Sequence, residues 1–152
     1  MSMIRIRVGL AVVAVCAVLA LGGFGGSGGS DRSKSKAEVQ QFLKELDQAV
    51  REGNIDFRVG RLHPAVIERY GEQQCRDFLA TQVDPTRRDR VKSVRKEEPF
   101  EFSNDGAPPI NAVVVHVRAT IKGKKGDRNL HLARVNGQFT YFIDCGTPLA
   151  PQ

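Results

Sequence analysis

Ile110-Asn-Ala-Val-Val-Val-His-Val-Arg-Ala-Thr-Ile-Lys122, a turn Gly123-Lys-Lys-Gly-Asp127, Arg128-Asn-Leu-His-Leu-Ala-Arg-Val135, Asn136-Gly137, then Gln138-Phe-Thr-Tyr-Phe-Ile-Asp-Cys-Gly146 is the stretch that decides the fold. It consists of three β-rich runs joined by two turns, the pattern of an antiparallel meander. Asn-Gly is the strongest short hairpin signal, because a type I′ turn needs positive φ at both central residues. With Asn136 and Gly137 in those positions, Val135 faces Gln138, Leu132 faces Tyr141 and Leu130 faces Ile143. The apolar partners match without adjustment. This register turns odd-numbered side chains from Phe139 through Cys145 inward and even-numbered ones outward.

Outward from that hairpin, Val113, Val115, Val117, Ala119 and Ile121 share the packed face of the preceding strand. Val114, His116, Arg118, Thr120 and Lys122 occupy a face expected to be mostly wet. Upstream, Asp89 to Glu98 is rich in charge, with Val91 and Val94 at a spacing that breaks strict alternation. That pattern predicts an edge strand carrying a bulge. Pro99-Phe100-Glu101-Phe102 continues it with both phenylalanines on one face, and Ser103 to Pro109 is a loop.

The N-terminal half is helical. Ser35-Lys36-Ala37-Glu38 has capping-box spacing, and Val39, Phe42, Leu43, Leu46 and Val50 recur at helical intervals. Arg51 suits the last turn and Gly53 supplies the stop. A second helix starts at His63-Pro64, with proline where its missing N–H costs nothing. Val66, Ile67 and Tyr70 form its apolar face, and Gly71 breaks it. A third runs from Glu72 to about Gln82 with Cys75, Phe78 and Leu79 on one side. Asp84-Pro85 ends it, since a residue before proline is pushed out of the helical region. The fold class is therefore α+β: N-terminal helices packed on a curved antiparallel sheet.

The chain of 152 residues has room for one domain and a short extra segment, and its net charge is +6. Met1 to Arg7 carries two arginines, Val8 to Leu21 is apolar or small, and a Gly/Ser-rich stretch follows. This has the form of a bacterial secretory signal. The alternative is an uncleaved anchor with the domain outside. Both readings export the domain, to be secreted or held at the outer face of the cytoplasmic membrane. The expected organisation is a signal or anchor over 1–22, a flexible linker over 23–35, the α+β domain over 36–146 and a tail over 147–152. Cys16 lies inside the apolar run, preceded by Val15, which argues against a lipidation site.

Two cysteines remain in the exported part, an even number in an oxidising compartment. Cys145 shares its face with Phe139, Tyr141 and Ile143, and Cys75 lies on the apolar side of its helix. Both point at the helix–sheet interface, so a disulfide is expected. The alternative is two buried free thiols.

The helix Val39–Val50, the segment His63-Pro64 to Leu79, and the hairpin Val135-Asn136-Gly137-Gln138-Phe139 together resemble the cystatin-like cone of the nuclear transport factor 2 (NTF2-like) superfamily. The likeness covers Ser35 to Gly146 and extends to small exported bacterial members of that superfamily. It implies a cone with a concave cavity, which different members use for isomerase or dehydratase chemistry or for non-catalytic binding. A fold does not choose among these. The superfamily's isomerases place an acidic base and a hydroxyl donor inside the cone. Here Tyr70 and Tyr141 are the inward hydroxyls, Asp144 has the wrong parity, and only Asp56 and Glu68 approach the mouth from the helical side.

His116 and His131 lie on the outer face without a third ligand of clear spacing, a poor zinc site. His63 reads as a helix-start residue. No Walker loop, Gly-x-Ser-x-Gly, His-Glu-x-x-His or calcium loop is present. The basic runs Arg87-Arg88-Asp89-Arg90-Val91-Lys92 and Lys122-Gly123-Lys124-Lys125 suit anionic lipid or wall polymer better than nucleic acid in an exported protein. The reading that results is a non-catalytic envelope domain that binds a small ligand or a protein. No cofactor, metal or nucleic-acid partner is expected, and the membrane is a partner only through an uncleaved N-terminal segment. Its pocket would be lined by some of Phe42, Leu46, Tyr70, Val115, Val117, Leu132 and Tyr141. The alternatives are a small NTF2-like isomerase or dehydratase and a basic module adhering to anionic envelope surfaces.

Overall fold

The computed structural model describes residues 28–103 and 107–150. The expected signal or anchor over 1–22, Cys16 and the first part of the linker lie outside them. Four helices, α1 (Gly28–Glu52), α2 (Ile55–Gly60), α3 (Pro64–Tyr70) and α4 (Glu72–Ala80), precede four strands. These are β1 (Arg88–Phe100), β2 (Ile110–Ile121), β3 (Lys124–Val135) and β4 (Gln138–Tyr141). The strands form one antiparallel sheet in the order β1-β2-β3-β4. The α+β class is as expected, with one helix more than the three read from the sequence. Among the described residues no helix is long and apolar enough to cross a membrane.

α1 starts at Gly28, ahead of the capping box at Ser35, so 28–35 is helical rather than linker. Once the stripe from Val39 is anchored, each added residue gains a hydrogen bond without a second nucleation. Val39, Phe42, Leu43 and Leu46 pack on Val91, Val113, Val115, Val117, Leu132 and Phe139. Each such side chain contributes roughly 1.5–3 kcal/mol when fully buried.

The same helix closes the open edge of β1. Gln40 Oε1 accepts from Val91 N and Asp47 Oδ2 accepts from Asp89 N. Lys36 Nζ and Arg51 Nη1 donate to the carbonyls of Lys92 and Arg87. Side chains on one side of α1 thus stand in for a missing neighbour strand, which an exposed edge would otherwise recruit from another molecule. β1 carries the expected bulges, between Val91 and Ser93 and between Val94 and Glu97.

The Asn136-Gly137 turn has φ of 51° and 78°, and Leu132 pairs with Tyr141 and Val135 with Gln138, as read. The expected Leu130–Ile143 pair does not form, because β4 ends at Tyr141. There Tyr141 N donates to Arg61 O and His63 N donates to Tyr141 O, so the α2–α3 connection takes over the edge of β4. The chain then leaves the sheet and alternation stops. Phe142, expected to point outward, packs with Phe102, Ile143 and Cys145 in the helical core.

The turn between β2 and β3 is Lys122-Gly123 rather than a longer Gly123–Asp127 loop, and both residues have positive φ. Lys122 N donates to Asp84 Oδ2 and Gly123 N to Thr86 Oγ1, so the segment after α4 holds a turn that its own residues favour weakly. Ile121, expected in the packed face, is 37% exposed. The opposite face is drier than expected, with Ala112, Val114, Ala133 and Thr140 buried there. His131 pairs with Val114 in register, and Phe100 stacks on His131 at 3.9 Å between ring centroids.

α2, which the sequence reading missed, is capped by Asn54, whose side chain accepts from Phe57 N. Together α2–α4 form a second core of Val59, Leu62, Val66, Cys75 and Leu79, and Tyr141 packs against both cores. Cys75 and Cys145 are joined, with Cα atoms 5.1 Å apart. The tail is not loose, since Leu149 N donates to Arg69 O and Gln74 Nε2 donates to Thr147 O.

Closing a loop of 70 residues restricts the unfolded chain by about 4 kcal/mol on the loop-closure entropy argument. The double variant Cys75→Ser/Cys145→Ser should therefore lose about 2–5 kcal/mol in urea denaturation. The same loss should appear in wild type under reductant, with two more thiols alkylated in the intact mass than without it. Equal stability with and without reductant would show that the bridge does not hold the fold.

Candidate functional site

A cavity of about 440 Å³ opens between α1, the inner face of β3, and the segment that leaves β4. Leu43 and Leu46 of α1, Leu130 and Leu132 of β3, Tyr141, Phe142 and Ile143 form its apolar walls, with Phe100 and Phe102. It exists because β4 is short: past Tyr141 no strand pairs with β3, and the departing chain leaves space under α1.

Of the residues expected to line a pocket, Leu46, Leu132 and Tyr141 do. Val115 and Val117 are fully buried in the core beneath α1 and do not line this cavity. Phe42 is a core residue packed on Phe139, with ring centroids 5.9 Å apart. Tyr70 belongs to the helical core, edge-on to Phe102, its hydroxyl accepting from Arg69 Nε. Strand parity and helical spacing placed all of these inward. They could not tell which of them α1 would cover.

The cavity is more cationic than the sequence reading allowed, since Arg58, Arg87 and Arg128 all line it. Arg87 Nε reaches Asp47 Oδ1 at 3.3 Å and its Nη2 reaches Asp89 Oδ2 at 2.8 Å. Arg128 Nη2 reaches the same Asp89 oxygen at 2.6 Å. Arg58 is 3% exposed, its Nη1 donating to Leu79 O at 2.7 Å, and it forms no ion pair among the described residues. The Nε atoms of Arg58 and Arg128 are buried without a hydrogen-bond partner, as is Asp89 Oδ1.

Signals for two of these were present. Arg128 has the parity of Leu130 and Leu132, and Asp89 that of Val91, so both had to face inward. Arg58 sits in the helix that was missed.

Burial shapes the titration of these groups. The Asp89 side chain is 1% exposed, and burial, reinforced by the neighbouring Asp47, raises its pKa to about 6 against the pull of Arg87. Asp47 is raised by burial as well, and the Arg58 guanidinium is lowered by it. Burial pushes the Tyr141 phenol up to about 12, and its hydroxyl donates to Arg58 O at 3.1 Å.

The carboxylates considered for acid–base chemistry lie elsewhere. Asp56 is an exposed partner of Arg76 at 2.6 Å, Glu68 is exposed, and neither lines the cavity. Asp144 lines the cavity but accepts from Gly146 N.

The histidines are separately engaged. His63 caps α3 by accepting from Ala65 N and stacks on Phe142, and burial lowers its pKa. His116 pairs with Asn129 in register and contacts its side chain, one step removed from His131. Burial likewise lowers His131. Among the described residues no group of three or more His, Cys, Asp or Glu is placed to hold a metal ion.

On the outside, the two basic runs are brought together. Arg88 pairs with Thr120, Arg90 with Arg118 and Thr120 with Lys125. With Lys44 and Arg51 from α1 they line a surface groove. Arg87, which opens the first run, instead turns inward. Compared with known protein families, curated proteins and solved structures, the chain matches none.

Because Asp89 holds a proton more tightly folded than unfolded, its contribution to stability is full below the ordinary carboxylate range. It is lost as pH rises through about 6. Wild type should therefore lose roughly 1–3 kcal/mol relative to Asp89→Asn between about pH 4.5 and about pH 7.5, read from urea midpoints. Parallel pH courses for the two proteins would show that Asp89 is not perturbed.

Proposed function

We propose that this chain is a non-catalytic, exported binding domain of the NTF2-like type, taking a small ligand between α1 and the sheet. The observation that carries this reading is the cavity itself. Its volume of about 440 Å³ falls in the range of small-molecule pockets, and its walls combine apolar surface with a few convergent polar groups. The Cys75–Cys145 bridge suits an oxidising compartment.

The isomerase or dehydratase alternative has less support. Acid–base catalysis needs a group that titrates near the working pH within reach of substrate. The Tyr141 hydroxyl, its pKa raised to about 12, is engaged with a backbone carbonyl. A neutral fluorescent naphthylamine should bind wild type saturably at one site per chain. Leu130→Trp, which fills the cavity, should weaken that binding at least about tenfold, the equivalent of 1.4 kcal/mol. Absence of saturable binding, or full binding by the filled variant, would remove the cavity as the site.

A second reading rests on the gathered basic face. Arg88, Arg90, Arg118 and Lys125 lie on adjacent strands, a surface that attracts anionic lipid head groups. Retention on phosphatidylglycerol vesicles should be strong at about 0.01 M salt and largely gone at about 1 M, as the screening length falls from roughly 30 Å to 3 Å. Retention independent of ionic strength would discard this reading.

A further inference from the structure

Arg58 is a buried cation left without a counter-charge by its own chain. Buried charges in proteins are ordinarily paired. Arg58 has one carbonyl, that of Leu79, on Nη1 and no partner on Nε, yet it lines the cavity. The two carboxylates nearest the other guanidiniums are already engaged: Asp47 by Arg87, and Asp89 by Arg87 and Arg128. Asp84, also in the wall, spends its oxygens on Thr86 and Lys122 N, and Asp144 accepts from Gly146 N. Arg87 and Arg128 each meet a carboxylate directly, so Arg58 is the one guanidinium of the wall with no ion pair among the described residues.

Beside these groups the wall presents an apolar stretch from Leu43, Leu46, Leu130 and Phe142. We infer that the cavity takes an amphipathic anion, a carboxylate on an alkyl or aryl body, with Arg58 as its counter-ion. This rests on the cavity being a ligand site, and it adds the chemistry that the ligand must have. A guanidinium suits a carboxylate because its N–H groups form a planar fork matched to two oxygens. An arriving anion satisfies a buried donor that otherwise stays bare, whereas a neutral head group of the same size leaves the charge unpaired. Burial lowers the pKa of Arg58, and a bound carboxylate would oppose that shift.

The test compares decanoate with decanol, which share a chain and differ in head-group charge, by titration calorimetry on the wild-type domain at neutral pH. Decanoate should bind at least about tenfold more tightly, as expected for a hydrogen bond to a charged group. In Arg58→Met the two should bind alike, with decanol unchanged. Equal affinities in wild type would overturn the charge assignment while leaving the cavity as the site. Failure of both ligands would remove the site as well. A preference for decanoate that survives Arg58→Met would overturn Arg58 as the counter-ion. Should that variant not fold, the two ligands on wild type still decide.

Discussion

Tyr141 is the joint of this molecule. Its backbone pairs with Leu132 on one side and with the Arg61–His63 segment on the other, so the last strand and the helical half share one residue. Its ring packs against both apolar cores, and its hydroxyl reaches across to Arg58 O. Buried phenols usually find such a partner, because leaving the hydroxyl bare costs more than the bond returns. A single residue thereby sets where the sheet ends, where the helical core begins, and where the space between them opens.

A second constraint works from the opposite side. Asp47 of α1 accepts from the backbone of β1 and contacts Arg87, while Asp89 binds Arg87 and Arg128. The cluster is buried, so its net worth against an apolar replacement is small, whereas removing one member leaves a bare charge and is costly. Its effect is one of specification. With Gln40 and Arg51 it sets the register of α1 along the edge of β1. That register places Leu43 and Leu46 over the cavity.

Much of the architecture was legible from local chemistry. The Asn136-Gly137 turn, the proline start of α3, the break at Gly71 and the bulged edge strand each follow from backbone preferences of a few residues. Facial parity also pointed Cys75 and Cys145 toward each other. What was not legible depended on distance. Alternation predicts orientation only while a strand continues, so Phe142 was misread once β4 stopped, and Ile143 turns inward without the Leu130 partner expected of it. α2 was missed because six residues carry too little periodicity to stand out. The cavity walls could not be separated from the core, since Val115 and Leu132 have the same pattern and differ only in what lies above them. Arg87 was read as surface because it belongs to a basic run, and Arg128 drew no reading although parity already turned it inward.

The covalent bridge has a mechanical corollary. It encloses Arg76 to Asp144 in a ring that contains the entire sheet, leaving α1, α2 and α3 on the open side. Tension applied between the two ends of the chain would pass through the sulfur–sulfur bond and bypass all four strands. Among the described residues, only the helical segment before Cys75 and the short stretch after Cys145 could lengthen. The sheet would remain a load-free plug of fixed contour while α1 peeled from its edge.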